Sequence, residues 1–113
     1  MKKNKIIVTG GAGFVGSNLI QYLLNKTKFK IISIDNYSSG FKKNHIKNKS
    51  VTYINSDTKN ISSVIKNPML ISSIFHFGEF SRIYQSFVNM SQCINSNTIG
   101  PTAIFEFCLK HKI

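Results

Sequence analysis

Short apolar runs along the chain alternate with segments in which apolar residues recur at helical spacing. Four runs rich in β-branched residues predict strands at residues 5–9, 30–34, 51–55 and 71–77. Helical spacing predicts a helix over residues 14–24, and a shorter helix is expected around Ile61 and Ile65. A long helix is expected over residues 91–110, where Pro101 should kink or split it.

This order of elements predicts the fold class. Strands that alternate with helices favour an α/β fold, in which a Rossmann-type parallel sheet has helices on both faces. Right-handed crossovers then give the strand order 3-2-1-4, with a switch point between the first and fourth strands. Ligands of such sheets bind beyond the carboxyl ends of the strands at the switch point. We therefore predict one domain over residues 1–113, with its site at that edge.

A glycine-rich turn joins the first strand to the first helix, with the sequence Gly10-Gly11-Ala12-Gly13-Phe14-Val15-Gly16. In a dinucleotide site Gly10 permits the tight turn, Gly13 lets the backbone approach the pyrophosphate, and Gly16 lets the helix pack closely. The free N–H groups and partial positive charge of the helix N-terminus favour phosphates. The strand before the turn and the helix after it favour a dinucleotide site over a plain glycine turn.

An acidic residue, Asp35, ends the second strand, nineteen residues after Gly16. At this position a carboxylate accepts hydrogen bonds from the adenosine ribose hydroxyls and repels a 2′-phosphate. Lys42 and Lys43 follow in the next loop, but no arginine does. The pattern therefore predicts NAD rather than NADP.

The third and fourth strands also end in candidate site residues. Asp57 and Thr58 could border the adenine, or Asp57 could simply cap the helix that follows. His76 is interpreted as a packed, hydrogen-bonded histidine and not as a base. Gly78 either lets the backbone pass close to the dinucleotide or merely makes a turn.

Composition restricts the remaining function classes. The chain has 113 residues, is 42% hydrophobic, and contains no apolar run near the roughly 20 residues of a membrane helix. No signal peptide is predicted, so a cytoplasmic location is expected. Fourteen of the fifteen basic residues are scattered lysines, which favours compositional bias over a nucleic-acid interface despite a net charge of +11. Cys93, Cys108 and the three histidines lack ligand spacing, so we expect no metal, no disulfide and two reduced core cysteines.

The motifs together resemble the extended short-chain dehydrogenase/reductases. The resemblance spans essentially the whole chain and is nearest to the nucleotide-sugar epimerases and dehydratases, in particular the UDP-glucose 4-epimerase-like branch. It rests on the residues Thr9 to Ser17, Asp35-Asn36, Asp57, His76-Phe77-Gly78, Asn97 and Gly100. It implies a tightly held NAD that abstracts a hydride from a sugar carbon and, in epimerases, returns it to the other face.

The resemblance also implies a role for each matching residue. Phe14 and Val15 would lie along the pyrophosphate, and Asn97 would steady the cofactor-binding loop. The other implied contacts are grouped by the part of the cofactor they meet: Asp35, Asn36, Ser38, Ser39 and Gly40 at the adenosine ribose, Asp57 and Thr58 at the adenine, and Phe77, Gly78, Glu79 and Ser81 beyond the fourth strand. Glu79 departs from the family pattern, which has a small residue there, and Ser81 stands where such epimerases often have a lysine.

The family's catalytic residues, a Ser or Thr and a Tyr-x-x-x-Lys pair, are expected beyond residue 113. None of the tyrosines at positions 22, 37, 53 and 84 is expected to replace that pair, so we assign no catalytic residue. We expect the N-terminal part of an NAD-dependent nucleotide-sugar epimerase, truncated before the fifth strand and inactive alone. A 4,6-dehydratase of the same family and a non-catalytic NAD-binding module remain open alternatives, and the complete enzyme could be a homodimer.

Overall fold

A computed structural model of the chain describes residues 2–78 and 87–113, and its centre is a parallel sheet of four strands. The strands are β1 (Lys5–Thr9), β2 (Lys30–Asp35), β3 (Val51–Asn55) and β4 (Ile71–His76). They lie in the order β3-β2-β1-β4, and every neighbouring pair is parallel. The predicted fold class, strand order and switch point between β1 and β4 are therefore confirmed.

The described residues contain four α-helices, together with several tighter or wider turns. The helices are α1 (Phe14–Lys26), α2 (Ile61–Val64), α3 (Met90–Ile94) and α4 (Gly100–His111). Short 3-10 turns lie at Lys42–Asn44, Thr58–Asn60 and Pro68–Leu70. Helix α1 runs two residues beyond its predicted end, to a point where the Thr27 backbone N–H and hydroxyl both donate to the Leu23 carbonyl.

The last helical segment is interrupted next to Pro101, which confirms the prediction that this proline would kink or split a helix over residues 91–110. Helix α3 passes into a π-helical turn, Asn95–Ile99, and α4 begins directly after it. Pro101 stands in the first turn of α4, directly after the π-helical turn, and it has no N–H to donate to a carbonyl of that turn. The proline thus marks where one helix ends and the next begins.

The two faces of the sheet carry separate apolar clusters because successive residues of a strand point to opposite faces. Helix α1 covers one face, and its cluster consists of Ile6, Val8, Ile20, Leu23 and Ile31. Helices α2 and α4 cover the other face, and that cluster consists of Ile7, Ile34, Ile61, Ile65, Ile71, Ile104 and Phe107. The sheet therefore packs between α1 on one face and α2 and α4 on the other, and the predicted site lies at its carboxyl edge.

The free edge of the sheet, the cysteines and the remaining described surface complete the account of the fold. Within the described residues β4 pairs with β1 alone, and Phe75 on β4 is 37% exposed. Cys93 and Cys108 are free thiols and both are half-buried; Cys108 packs against the apolar cluster under α4, as expected of a core cysteine, whereas Cys93 belongs to neither cluster. In the described parts of the chain no helix is long and apolar enough to cross a membrane. In those same parts, no three His, Cys, Asp or Glu side chains form a metal-binding group.

Candidate functional site

A cleft lies at the carboxyl edge of the sheet, where all four strands end. Its enclosed volume is only about 70 Å³, so in this structure it is a shallow cleft open to solvent. Its lining is largely the predicted set: Gly10, Gly13, Asp35, Asn36, Ser38, Ser39, Gly40, Asp57, Thr58, Phe77 and Gly78. Four lining residues were not predicted from the sequence: Ile34, Ser56, Lys59 and Ser96.

The glycine turn forms the floor of the cleft between β1 and α1. Gly10 has a φ of +72°, a left-handed conformation that favours glycine, and its N–H donates to the Ile34 carbonyl at 2.7 Å. A Cβ on Gly10 would lie 2.8 Å from the Phe77 backbone. Both the turn and the close approach of the strand β4 end therefore require glycine here, as predicted.

Helix α1 points its N-terminus at the same cleft. Gly13 is its N-cap, so no side chain caps the first turn, and the first backbone N–H groups have no intrahelical acceptor. A Cβ on Gly16 would overlap the carbonyl oxygen of Gly10, which confirms that the helix packs tightly on the turn. Phe14 and Val15 remain 82% and 55% exposed beside it. This geometry suits an anionic ligand such as a pyrophosphate.

The Asp35 carboxylate joins the glycine turn to the loop between β2 and β3 (residues 36–50), called here the β2–β3 loop. Its Oδ2 accepts the Ala12 N–H at 3.0 Å, and its Oδ1 accepts the Tyr37 N–H at 2.8 Å. A carboxylate has about four lone-pair sites, so further acceptor capacity remains for hydroxyl donors in the cleft. Gly40 lies so close that a Cβ there would be 2.8 Å from Oδ2.

Asn36 and Asp57 link the ends of β2 and β3. The Asn36 side-chain amide donates to Asp57 Oδ1 at 2.7 Å, while its oxygen accepts the Ser38 N–H at 3.0 Å. Asp57 precedes the 3-10 turn, but its side chain makes no capping hydrogen bond. Asp57 thus holds the N-cap position of that turn through its backbone, while its carboxylate lines the cleft.

The β2–β3 loop binds the carbonyl of Ala12, whose N–H is bound at the end of β2, and the sequence did not predict the contact with the loop. Its carbonyl accepts the Asn44 side-chain amide at 2.8 Å and the Phe41 N–H at 3.1 Å. Its N–H is bound by Asp35, as described above. Asn44 gives no signal in the sequence because it lies in a polar, lysine-rich stretch without a motif.

The buried hydroxyl of Thr9 organises the end of β4. Its Oγ1 accepts the backbone N–H groups of Phe77 at 3.0 Å and Gly78 at 3.1 Å, and it lies 2.6 Å from His76 Nδ1. The interpretation of His76 as a packed, hydrogen-bonded side chain is confirmed. A Cβ on Gly78 would lie 2.9 Å from Thr58 Oγ1, so the lack of a side chain lets Gly78 pack against Thr58. Close passage of its backbone to a dinucleotide stays a prediction.

Replacing Thr9 with valine should lower the free energy of unfolding by about 1–3 kcal/mol. The Gly78 N–H and His76 Nδ1 would each lose the Thr9 hydroxyl, whereas the Phe77 N–H would keep the Thr9 carbonyl, to which it also donates at 3.0 Å. Urea unfolding of the two proteins measures the difference. Thr9→Ser keeps the hydroxyl and should lose less than valine; a valine variant as stable as wild type would contradict the role of the hydroxyl.

Among the described residues, four predicted site residues do not line the cleft, namely Phe14, Val15, Gly16 and Asn97. Asn97 is exposed on the π-helical turn and its amide donates to Cys93 Sγ at 3.6 Å, while the neighbouring Ser96 lines the cleft. The role of Asn97 in steadying the cofactor loop stays a prediction. Glu79 and Ser81 lie outside the described residues.

One tyrosine–lysine pair inside the chain does have the family's spacing. Tyr22 and Lys26 are four residues apart on α1, and Tyr22 is 59% exposed. Neither of them lines the cleft. Their spacing therefore reflects one exposed helix surface and gives no reason to assign a catalytic role.

A family model described as the NAD dependent epimerase/dehydratase family matches residues 6–113. An uncharacterized protein of Methanocaldococcus jannaschii, MJ1055, is 35% identical over all of this chain and 38% of its own length. The UDP-glucose 4-epimerase of Streptomyces lividans is 28% identical over 90% of this chain and 31% of its own. The dTDP-D-glucose 4,6-dehydratase of Dictyostelium discoideum is 30% identical over 96% of this chain and 27% of its own. The chain thus spans about a third of the length of these relatives.

A solved structure has the same fold. The enzyme WbmF of Bordetella bronchiseptica, crystallised in complex with NAD+, superimposes with a TM-score of 0.84 at 23% identity. The match covers 95% of this chain and 32% of that one. At this identity the likeness concerns the fold, and the arrangement of the cleft rests on the contacts described above.

Proposed function

The chain belongs to the NAD dependent epimerase/dehydratase family, and from that premise we propose that its cleft binds NAD. The prediction of NAD as cofactor is confirmed at the level of the family. The observation that carries the proposal for this chain is the junction of the uncapped α1 N-terminus, the glycine turn and the Asp35 carboxylate at one edge of the sheet. Together they provide N–H donors for phosphates and acceptors for ribose hydroxyls.

The proposed roles follow the geometry of the cleft. The first turn of α1 binds the pyrophosphate, with Phe14 and Val15 beside it. Asp35 and Asn36 take the adenosine ribose, with Ser38, Ser39 and Gly40 at its edge, and Asp57 and Thr58 border the adenine. Phe77, Gly78, Glu79 and Ser81 border the cofactor past β4. Asn97 steadies the cofactor-binding loop. Because the Asp35 carboxylate is anionic, it should disfavour the 2′-phosphate of NADP.

We further propose that the chain is the N-terminal part of a nucleotide-sugar epimerase. In such an enzyme bound NAD supplies a hydride acceptor, and this chain's residues hold and orient it. The relatives include both UDP-glucose 4-epimerases and a 4,6-dehydratase, so an isomerase is the first candidate and a lyase of the same family the second. A nucleotide-sugar substrate, a cytoplasmic location and a homodimer are expected of the complete enzyme.

Isothermal titration calorimetry on the 113-residue chain tests the cofactor. NAD should bind weakly but measurably, NADP more weakly still, and the chain alone should not convert UDP-glucose to UDP-galactose. The absence of heat at the highest NAD concentration that the calorimeter allows would contradict the cofactor site. Turnover by the purified chain would contradict the assignment of the catalytic groups to another part of the protein.

The same measurements on any longer product of the gene separate the alternatives. An epimerase should interconvert UDP-sugars without net loss of water, and a dehydratase should release water and form a nucleotide-linked 4-keto-6-deoxy sugar. NAD binding without either reaction would favour a non-catalytic module.

A further inference from the structure

The β2–β3 loop contains a strained residue at its start. Tyr37 has a φ of +62°, in the left-handed region that a residue with a large side chain rarely adopts. Its N–H donates to Asp35 Oδ1 at 2.8 Å, so the unusual backbone conformation directs the amide at the proposed ribose-binding carboxylate. Such strain persists only where surrounding contacts maintain it.

The contacts that maintain the Tyr37 conformation come from two aromatic side chains, His45 in the β2–β3 loop and Tyr53 on β3. The Tyr37 hydroxyl lies 2.6 Å from His45 Nε2. The His45 ring stacks on Tyr53, with ring centroids 3.8 Å apart and an interplanar angle of 10°. Tyr53 is on β3, packs against the apolar cluster under α1, and its hydroxyl accepts the Ile46 N–H at 2.9 Å. We call Tyr37, His45 and Tyr53 the aromatic latch.

The latch spans the part of the loop that touches the glycine turn. Phe41 and Asn44, which bind the Ala12 carbonyl, lie between its first two members. Opening the latch would therefore release the Tyr37 N–H, Phe41 and Asn44 together. Burial raises the pKa of the Tyr37 hydroxyl above its ordinary value, and Asp35 and Tyr53 raise it further, so this hydroxyl stays a neutral hydrogen-bonding group.

We propose that His45 is a positioning residue for the cofactor, because it ties Tyr37 to β3 and so holds the β2–β3 loop closed on the glycine turn. It touches no part of the proposed NAD site itself; it is not among the residues that line the cleft. Its effect is to preset Asp35 and the loop before NAD arrives, so less ordering is left to the binding step. This role rests on the proposed function.

Calorimetric affinities of four variants test the latch. His45→Ala, which removes both the hydrogen bond and the stacking, should weaken NAD binding about tenfold. Tyr37→Phe and His45→Phe each remove the hydrogen bond but keep an aromatic ring, and each should weaken binding about threefold. The double Tyr37→Phe/His45→Phe variant should be no weaker than either single variant, because both remove the same bond.

Two further readouts distinguish positioning from general destabilisation. AMP, which carries only the adenosine half, should lose affinity for His45→Ala by the same factor as NAD. Amide hydrogen exchange in the ligand-free chain should be faster at Tyr37 and Phe41 in that variant, while the β1 amides keep their protection. If His45→Ala does not fold, His45→Phe and Tyr37→Phe provide the same comparison.

His111→Ala is the matched control. His111 also packs on an aromatic ring, that of Phe107 at 4.6 Å, but it lies at the end of α4. Its replacement should leave the affinities for NAD and AMP within twofold of wild type. Equal NAD affinity of wild type and His45→Ala would overturn the positioning role. A wild-type chain that binds no NAD would contradict the proposed function instead, so the two failures are distinguishable.

Discussion

Replacing Gly16 with alanine is expected to abolish measurable NAD binding and to lower the free energy of unfolding by about 3 kcal/mol. The added Cβ would overlap the Gly10 carbonyl oxygen and crowd the Gly10 carbonyl carbon at 2.8 Å. Both neighbours are backbone atoms, so neither can rotate away. Helix α1 must therefore move off the turn, and its N-terminus moves away from the pyrophosphate position with it.

Gly13→Ala is the matched comparison for stability. A Cβ there meets only the Gly10 oxygen, at 3.3 Å, and the backbone has an ordinary extended conformation. We expect it to cost less than about 1 kcal/mol of unfolding free energy. Urea unfolding measures both variants and calorimetry measures NAD. A Gly16→Ala protein that matches Gly13→Ala in stability and still binds NAD like wild type would show that the close packing of α1 is not required.

The fold could be predicted from the sequence because its strands and helices have clear local patterns. The β-branched runs at Lys5–Thr9 and Val51–Asn55 are strands with the predicted bounds, and right-handed crossovers left one strand order. The exception is the last helical segment. Pro101 indicated an interruption there, but the π-helical turn before it depends on local backbone geometry that no apolar spacing records.

The candidate site could be predicted where it depends on strand ends. Asp35 is the last residue of a strand, Gly10, Asp57 and Gly78 come after strands, and parallel strands bring their carboxyl ends to one edge. The contacts between loops could not be predicted. Asn44 reaches the Ala12 carbonyl across thirty-two positions, and this pairing depends on the path of the β2–β3 loop.

Asp35 contacts both the glycine turn, whose place at the cleft could be predicted, and the β2–β3 loop, whose contacts could not. One carboxylate oxygen binds the glycine turn and the other binds the strained Tyr37, so the residue is structural even before a ligand is present. It follows that its substitution changes the shape of the cleft as well as removing ribose acceptors. Affinity and stability should therefore fall together at this position, whereas the aromatic latch should affect affinity more than stability.

Replacing Asp35 with asparagine is expected to weaken NAD binding about a hundredfold. The amide removes the charge that strengthens hydrogen bonds to the ribose hydroxyls, bonds worth about 1.5–3 kcal/mol when an acceptor is charged. Its NH2 group must also face the N–H of either Ala12 or Tyr37, where the carboxylate accepted both. NADP affinity should fall less, because loss of the negative charge removes repulsion of the 2′-phosphate.

Glu106→Gln is the charge-matched control for that experiment, since it removes one negative charge from an exposed position on α4. It should leave the NAD affinity and the ratio of NAD to NADP affinities within twofold of wild type, because an exposed charge outside the cleft is screened by salt. Calorimetry with both dinucleotides at one ionic strength gives the two ratios. If Asp35→Asn and Glu106→Gln change the ratio of NAD to NADP affinities equally, net charge and not the contact at the ribose governs cofactor choice.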